Sequence, residues 1–155
     1  MTGDSAPRAS ERGNGLLAIA VGGGIAGTLD LLQACILFGW KIPLVIAAGL
    51  LGRSAFQGGA GTYALGVLLH FFIACSAAAI YYRVSRKLRF LVEHPLVCGL
   101  FFGAAVEDVM SFIVLPLSAL HARGPYRLHD LLLGLGVHMV VVGLPIAYSV
   151  RRLGK

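Results

Sequence analysis

Apolar residues fill four long stretches of this chain, and the charged residues are concentrated between them. A helix needs about 20 predominantly apolar residues, rising about 1.5 Å each, to cross the hydrocarbon core of a membrane. The stretches that meet this length are residues 15–40, 62–82, 95–120 and 130–150. The pattern predicts an all-α fold, an integral membrane four-helix bundle in which residues 15–150 form a single transmembrane domain.

A shorter apolar stretch lies between the first two spans, at residues 42–58. Its apolar core of eleven residues is bounded by Lys41 and Arg53, which is too short to cross a membrane. We therefore expect a short reentrant or interfacial helix at this position.

The two ends of the chain are polar. Residues 1–14 predict a flexible tail and residues 151–155 a basic tail. A cleaved signal peptide is the alternative for the first span. It is disfavoured because the apolar run is longer than a signal peptide's and because Asp4 and Glu11 precede it.

Composition supports the membrane assignment. Hydrophobic residues make up 57% of the chain, charged residues only 13%, and the mean hydropathy is +0.83. The net charge of +6 does not indicate nucleic acid, because the cations lie between apolar runs rather than on one soluble face. The lipid bilayer is the expected partner. The cysteines have no metal or disulfide spacing: Cys35, Cys75 and Cys98.

The distribution of cations predicts the orientation. Nine of the 13 Lys and Arg residues lie in the two tails and in the connection between the second and third spans, and four lie on the opposite side. Because cytoplasmic loops carry the excess of Lys and Arg, both termini are expected to face the cytoplasm.

Ionisable residues recur at one depth inside the spans. They lie roughly nine to thirteen residues, or about 13 to 20 Å, from the presumed outer ends: Asp30, His70, Glu107 and His138. Each follows a glycine by three or four residues, which places it on a small-residue helix face where membrane helices pack. The glycines expected in helix packing are Gly23, Gly27, Gly66, Gly99, Gly103 and Gly134. Gln33, one turn beyond Asp30, is a further candidate for this layer.

Two adjacent acids, Glu107 and Asp108, lie within the third span. An acid facing lipid at the helix centre costs about 2.5 to 3.5 kcal/mol, so we expect Glu107 to point inward and to pair with a histidine. Asp108, about 100° further round the helix, is included in the polar layer and is expected to face a neighbouring helix or a second subunit.

Four functions are compatible with this layer. The first is a structural polar network that fixes helix register. The second is proton- or ion-coupled movement of a small solute. The third is metal or haem binding, with His70, His138, Asp30 and Glu107 as candidate ligands, although no adjacent spacing such as HExxH supports it and the sequence requires no cofactor.

The fourth is a role as an accessory subunit of a membrane complex, or as one half of a homodimer. Catalytic residues are not expected, and the chain is not predicted to be an enzyme. Ser111 and Ser118 have no His and Asp partners that can be identified from the sequence.

The second and fourth spans align weakly with each other, with Gly66 over Gly134 and His70 over His138. The first and third spans align Asp30 with Glu107. Two parallel hairpins related by a pseudo-twofold axis would explain this pattern, and so would chance similarity among glycine- and alanine-rich helices.

Three segments, GGGIAGTLD, IAAGLLGRSAFQGGAGTYALGVLLHFFIA and VLPLSA, carry a resemblance that runs from Gly22 to Ala119. The chain resembles small, functionally uncharacterised bacterial inner-membrane proteins of about four spans, the YagU-like group. The resemblance implies a helical, multi-pass protein of the bacterial inner membrane and no established activity. Asp30 belongs to that group's usual pattern, whereas Glu107 and Asp108 do not.

Overall fold

The computed structural model describes residues 9–122 and 127–154, with side chains from Asn14 onward. Its helices are α1 (Ala9–Phe38), α2 (Ile42–Leu51, continued by a 3-10 turn at Gly52–Gln57), α3 (Ala60–Ser85), α4 (Phe90–Glu93), α5 (Pro95–Leu117) and α6 (Leu128–Leu153). Within these ranges there is no strand, and α1, α3, α5 and α6 are long and apolar enough to cross a membrane. The predicted all-α four-helix fold is confirmed.

The helix ends differ from the expected span limits by a few residues. α1 begins at Ala9, inside the stretch predicted to be a flexible tail, while residues 1–8 lie outside the described part. α6 continues to Leu153, into the predicted basic tail. α5 ends at Leu117, three residues early, because Ser118 takes an extended backbone conformation with ψ 166°.

The four spans pack in the order α3, α1, α6, α5. α1 contacts α3 on one side and α6 on the other, and α6 also packs on α5. The core at these contacts is rich in alanine, including Ala18, Ala26, Ala78 and Ala147, with Tyr81 and Ile146 as the large buried side chains. Small residues let membrane helices approach closely, and the larger aliphatic side chains face outward.

This packing order bears on the predicted pseudo-twofold. Such an axis would relate the contact of α1 with α6 to a contact of α5 with α3. Instead, α3 and α5 flank an apolar groove of about 300 Å³ and touch through the rings of Tyr81 and Phe102, whose centroids are 4.9 Å apart. The arrangement of the spans therefore does not support the twofold relation.

Two π turns widen the spans close to the ionisable residues. One covers Met110–Val114 in α5, and the other covers His138–Gly143 in α6. Each lies just before a proline, Pro116 or Pro145. Proline lacks an N–H group and its ring crowds the carbonyl one turn earlier, so the backbone adopts the wider turn there.

One end of the bundle gathers the basic segments. Tyr82, near the end of α3, lies against both Gly15 of α1 and Gly154 after α6. Arg86 Nη1 donates a hydrogen bond of 3.3 Å to the Gly154 carbonyl. The connection between α3 and α5 therefore lies at the same end as the start of α1 and the end of α6.

The short helix α2 lies at the opposite end and packs against α3. The carbonyl of Pro43 rests on Gly66, a position where a larger residue would collide with it. The Ala119 N–H donates a 2.8 Å hydrogen bond to the Gly49 carbonyl, which ties α2 to the segment after α5. α2 reaches one turn short of His70 along α3, and its reentrant or interfacial position stays a prediction.

Candidate functional site

Four ionisable side chains, one from each span, form a continuous chain inside the bundle. In spatial order they are Glu107 of α5, His138 of α6, Asp30 of α1 and His70 of α3. Their side chains are between 13% and 18% exposed, which places them inside the bundle rather than on its lipid-facing surface. We refer to these four residues as the acid/histidine network.

The shortest contact in the network joins Glu107 to His138. Glu107 Oε2 lies 3.0 Å from His138 Nδ1, and the same nitrogen lies 3.0 Å from the Gly134 carbonyl. A carbonyl oxygen can only accept, so Nδ1 carries a hydrogen and donates it. Ser111 donates a hydrogen bond of 2.9 Å to the other oxygen of Glu107. The Nδ1 hydrogen is directed at the Gly134 carbonyl, so Glu107 accepts a hydrogen bond from Ser111 at one oxygen and has a close ion-pair contact with the His138 ring at the other.

Asp30 lies between the two histidines. Its Oδ2 is 3.9 Å from His70 Nε2, and its Oδ1 is 3.9 Å from His138 Nε2. Gln33 donates a 3.3 Å hydrogen bond to Oδ1. His70 Nε2 donates to the Gly27 carbonyl at 2.9 Å, so this histidine binds the backbone of α1 beside Asp30.

The donors and acceptors of the acid/histidine network leave a place for one more proton between His138 and Asp30. Because His138 Nδ1 carries a hydrogen, Nε2 of the neutral ring is an acceptor. That nitrogen faces Asp30 Oδ1, which is also an acceptor when the acid is ionised. Two acceptors repel each other, so the contact becomes favourable only when a proton occupies one of them or a donor lies between them.

A cavity of about 80 Å³ adjoins this contact. Asp30, His70 and His138 all line it, and Ile46 lines it from the side of α2. The separation of 3.9 Å exceeds a direct hydrogen bond, and the cavity has room for water to bridge the two atoms.

Glycines create the space that the network requires. A Cβ at Gly134 would lie 2.7 Å from Glu107 Oε1, so a side chain there would displace this carboxylate. Gly103 lies under the carbonyl of His138. Each glycine expected in helix packing lies against another helix: Gly23 and Gly27 against α3, Gly66 against α2, Gly99 and Gly103 against α6, and Gly134 against α5.

Asp108 lies apart from the network, on the exposed surface of α5. The two adjacent acids of this span therefore have different surroundings: Glu107 is bonded inside the bundle and Asp108 is exposed. The expectation that Asp108 faces a second subunit stays a prediction.

The network residues do not converge on a single point. Among the described residues, no group of three or more His, Cys, Asp or Glu side chains is placed to hold one metal ion. The cavity beside His70 and His138 is also far smaller than the roughly 300 Å³ typical of the smallest drug-sized ligand sites, so a haem does not fit between these histidines in this arrangement.

Sequence reasoning assigned no role to Ser111. Its position one helical turn after Glu107 was the available signal, since residues four apart share a helix face. Gln33, expected as a candidate, does join the network through Asp30. Its side-chain oxygen is buried and has no hydrogen-bond partner among the described residues.

Comparison with known proteins gives no relative for this chain: no protein-family model, no curated protein and no solved structure matches it. The resemblance to the YagU-like group stays a prediction.

Proposed function

We propose that this multi-pass membrane protein binds and releases a proton at the acid/histidine network. The observation that carries the proposal is the position of the His138 ring, which lies between carboxylates of two other helices. One ring nitrogen lies 3.0 Å from Glu107, and the other faces Asp30 across a contact that needs a proton or a bridging donor.

The membrane setting favours proton exchange at this contact. An ionised carboxylate is expensive inside a bilayer unless it is paired, and it otherwise takes up a proton. Histidine is the side chain whose charge changes most readily near neutral pH. A proton held by Asp30 or His138 and bridged by water across their 3.9 Å separation satisfies both groups, and its release leaves two acceptors facing each other. Movement of a small solute coupled to this exchange is the corresponding activity.

A structural polar network is the second candidate function. It is favoured by the fact that the four residues come from four different spans, so their contacts connect the whole bundle. Interhelical hydrogen bonds of this kind contribute about 0.6 to 2 kcal/mol each. A purely structural network requires one fixed protonation state, and this separates it from the first proposal.

We further propose that the protein resides in a bacterial inner membrane with both termini in the cytoplasm. The gathering of the start of α1, the connection after α3 and the end of α6 at one end of the bundle supports this orientation. These segments carry the excess of Lys and Arg that marks a cytoplasmic side.

Solid-state NMR of protein labelled with ¹⁵N-histidine in lipid bilayers tests the proton proposal. Spectra are recorded from about pH 8 to 5, and we expect them to show both the unprotonated and the protonated form of His138 Nε2. A His138→Gln variant assigns the signal. Replacing Asp30 by asparagine is expected to shift this transition, because the amide cannot hold a negative charge.

Asp108→Asn is the matched control, since it removes an acid from the same region without touching the network. It is expected to leave the His138 transition in place. A single protonation state of Nε2 over the whole range, in both the unmodified protein and Asp30→Asn, would contradict proton exchange and leave the structural network as the function.

A further inference from the structure

An apolar groove opens on the side of the bundle where α3 and α5 stand apart. Its volume is about 300 Å³, and it is lined by Phe72, Ile73 and Ala77 of α3 and by Phe102, Val106 and Met110 of α5. Phe72 is 71% exposed, so the groove opens toward the surrounding bilayer. We call it the lateral groove.

The lateral groove adjoins the cavity of the acid/histidine network. Four residues line both spaces: Ile73, Ala77, Val106 and Met110. At the inner side of these residues the lining becomes polar, with Asp30, His70 and His138. The apolar groove and the hydrogen-bonding groups inside the bundle therefore lie on either side of one layer of side chains.

We propose that the lateral groove and the network cavity together bind a single-chain, lipid-soluble molecule with a small uncharged head that carries a hydroxyl group. The chain lies in the groove and the head reaches Asp30 and His138. This inference deepens the proposed function and rests on it, because the head would occupy the contact where the proton is exchanged.

The chemistry of the two spaces selects this ligand class. A volume of about 300 Å³ lies at the lower end of ligand-binding sites, which suits one chain rather than a two-chain phospholipid. A hydroxyl group can donate to one of the two acceptors that face each other between Asp30 and His138. A polar group deep in a bilayer gains when it finds such a partner, whereas an alkyl end or an apolar helix of a second copy gains nothing there.

Photolabelling of the purified protein in lipid nanodiscs tests this inference. The probe is a long-chain alcohol with a diazirine in its chain, and the comparison probe is the same diazirine-bearing chain without the hydroxyl. We expect the alcohol to label groove residues of α3 and α5 several-fold more than the hydrocarbon does. Mass spectrometry of the digested protein locates the labels.

A matched pair of variants controls for lipid exposure. Ala105 lines the groove and is exposed, so Ala105→Phe fills the groove and is expected to abolish the preference for the alcohol. Ala20 on α1 is also exposed but does not line the groove, and Ala20→Phe is expected to leave the preference unchanged. Val109→Trp is a second groove-filling change, used if Ala105→Phe does not fold.

Equal labelling by both probes would overturn the inference, since it would show only surrounding lipid. Crosslinks between two copies through groove residues would also overturn it, because a second copy would then occupy the site. A His138 transition without any preference for the alcohol leaves the proton proposal standing and refutes this one. A preference for the alcohol without a His138 transition would refute the proton proposal and support binding at this site. The site would then bind the hydroxyl head by hydrogen bonding alone.

Discussion

Replacing Gly143 by alanine is expected to destabilise the protein by about 2 kcal/mol or more, the range of an overpacked core. Gly143 of α6 lies directly on the backbone of α5. A Cβ there would collide with the Gly99 carbonyl and would lie 2.9 Å from the Gly103 nitrogen. Both are backbone atoms, so no side chain can rotate away, and α5 and α6 must separate.

Equilibrium unfolding of the purified protein in mixed detergent micelles measures this loss. Gly136→Ala is the matched control on the same helix, because beyond its own helix backbone and chain neighbours no atom of the described residues lies within 4 Å of the position of its Cβ. Alanine has the higher helix propensity, so the control is expected to be neutral or to gain up to about 1 kcal/mol. Equal stability of Gly143→Ala and Gly136→Ala would contradict the close crossing of α5 and α6.

The second large effect is expected from His138→Ala. The substitution removes the contact with Glu107 and the partner of Asp30 in one step, which leaves two acids inside the bundle without their shared histidine. Leaving a buried polar group without its partner costs about 1 to 3 kcal/mol. We expect about 3 kcal/mol, the upper end, because two acids lose their partner at once.

A double-mutant cycle that combines His138→Ala with Glu107→Gln isolates the interaction between these two side chains from their contacts with other residues. Glutamine is neutral and still offers an oxygen to Ser111, so the double variant is expected to recover part of the loss, with a coupling of about 0.5 to 3 kcal/mol. Asp108→Asn, next in the chain but exposed, is expected to change stability by no more than about 0.5 kcal/mol. Additive effects of His138→Ala and Glu107→Gln would show that the two residues do not interact.

These two predictions concern connected parts of the molecule. The carbonyl of His138 rests on Gly103, and Gly103 lies one turn before Glu107 on the same helix. The close crossing of α5 and α6 therefore sets the distance between Glu107 and His138. A substitution that separates the helices is expected to weaken the acid/histidine network as well as the packing.

Much of the architecture was predictable because a bilayer imposes strict length and polarity limits on a spanning helix. These limits define four spans and one short helix from the apolar runs alone. The spacing of glycines before each ionisable residue also indicated which faces turn inward, since residues three or four apart share a helix face. Gly143 was missed because it acts through a contact between two helices that local spacing does not reveal, whereas the four-residue spacing of Ser111 from Glu107 was a signal that went unused.

The sequence by itself determined the number of spans and the end of the bundle where the cations gather. It also determined the common depth of the four ionisable residues Asp30, His70, Glu107 and His138. All three features follow from helix rise and from the energy of polar groups in lipid. The tertiary structure alone decided which acid meets which histidine, the separation of α3 from α5 and the exposure of Asp108. These features depend on the order and rotation of packed helices. Periodicity along one chain fixes the face of a helix but not the neighbour that the face meets.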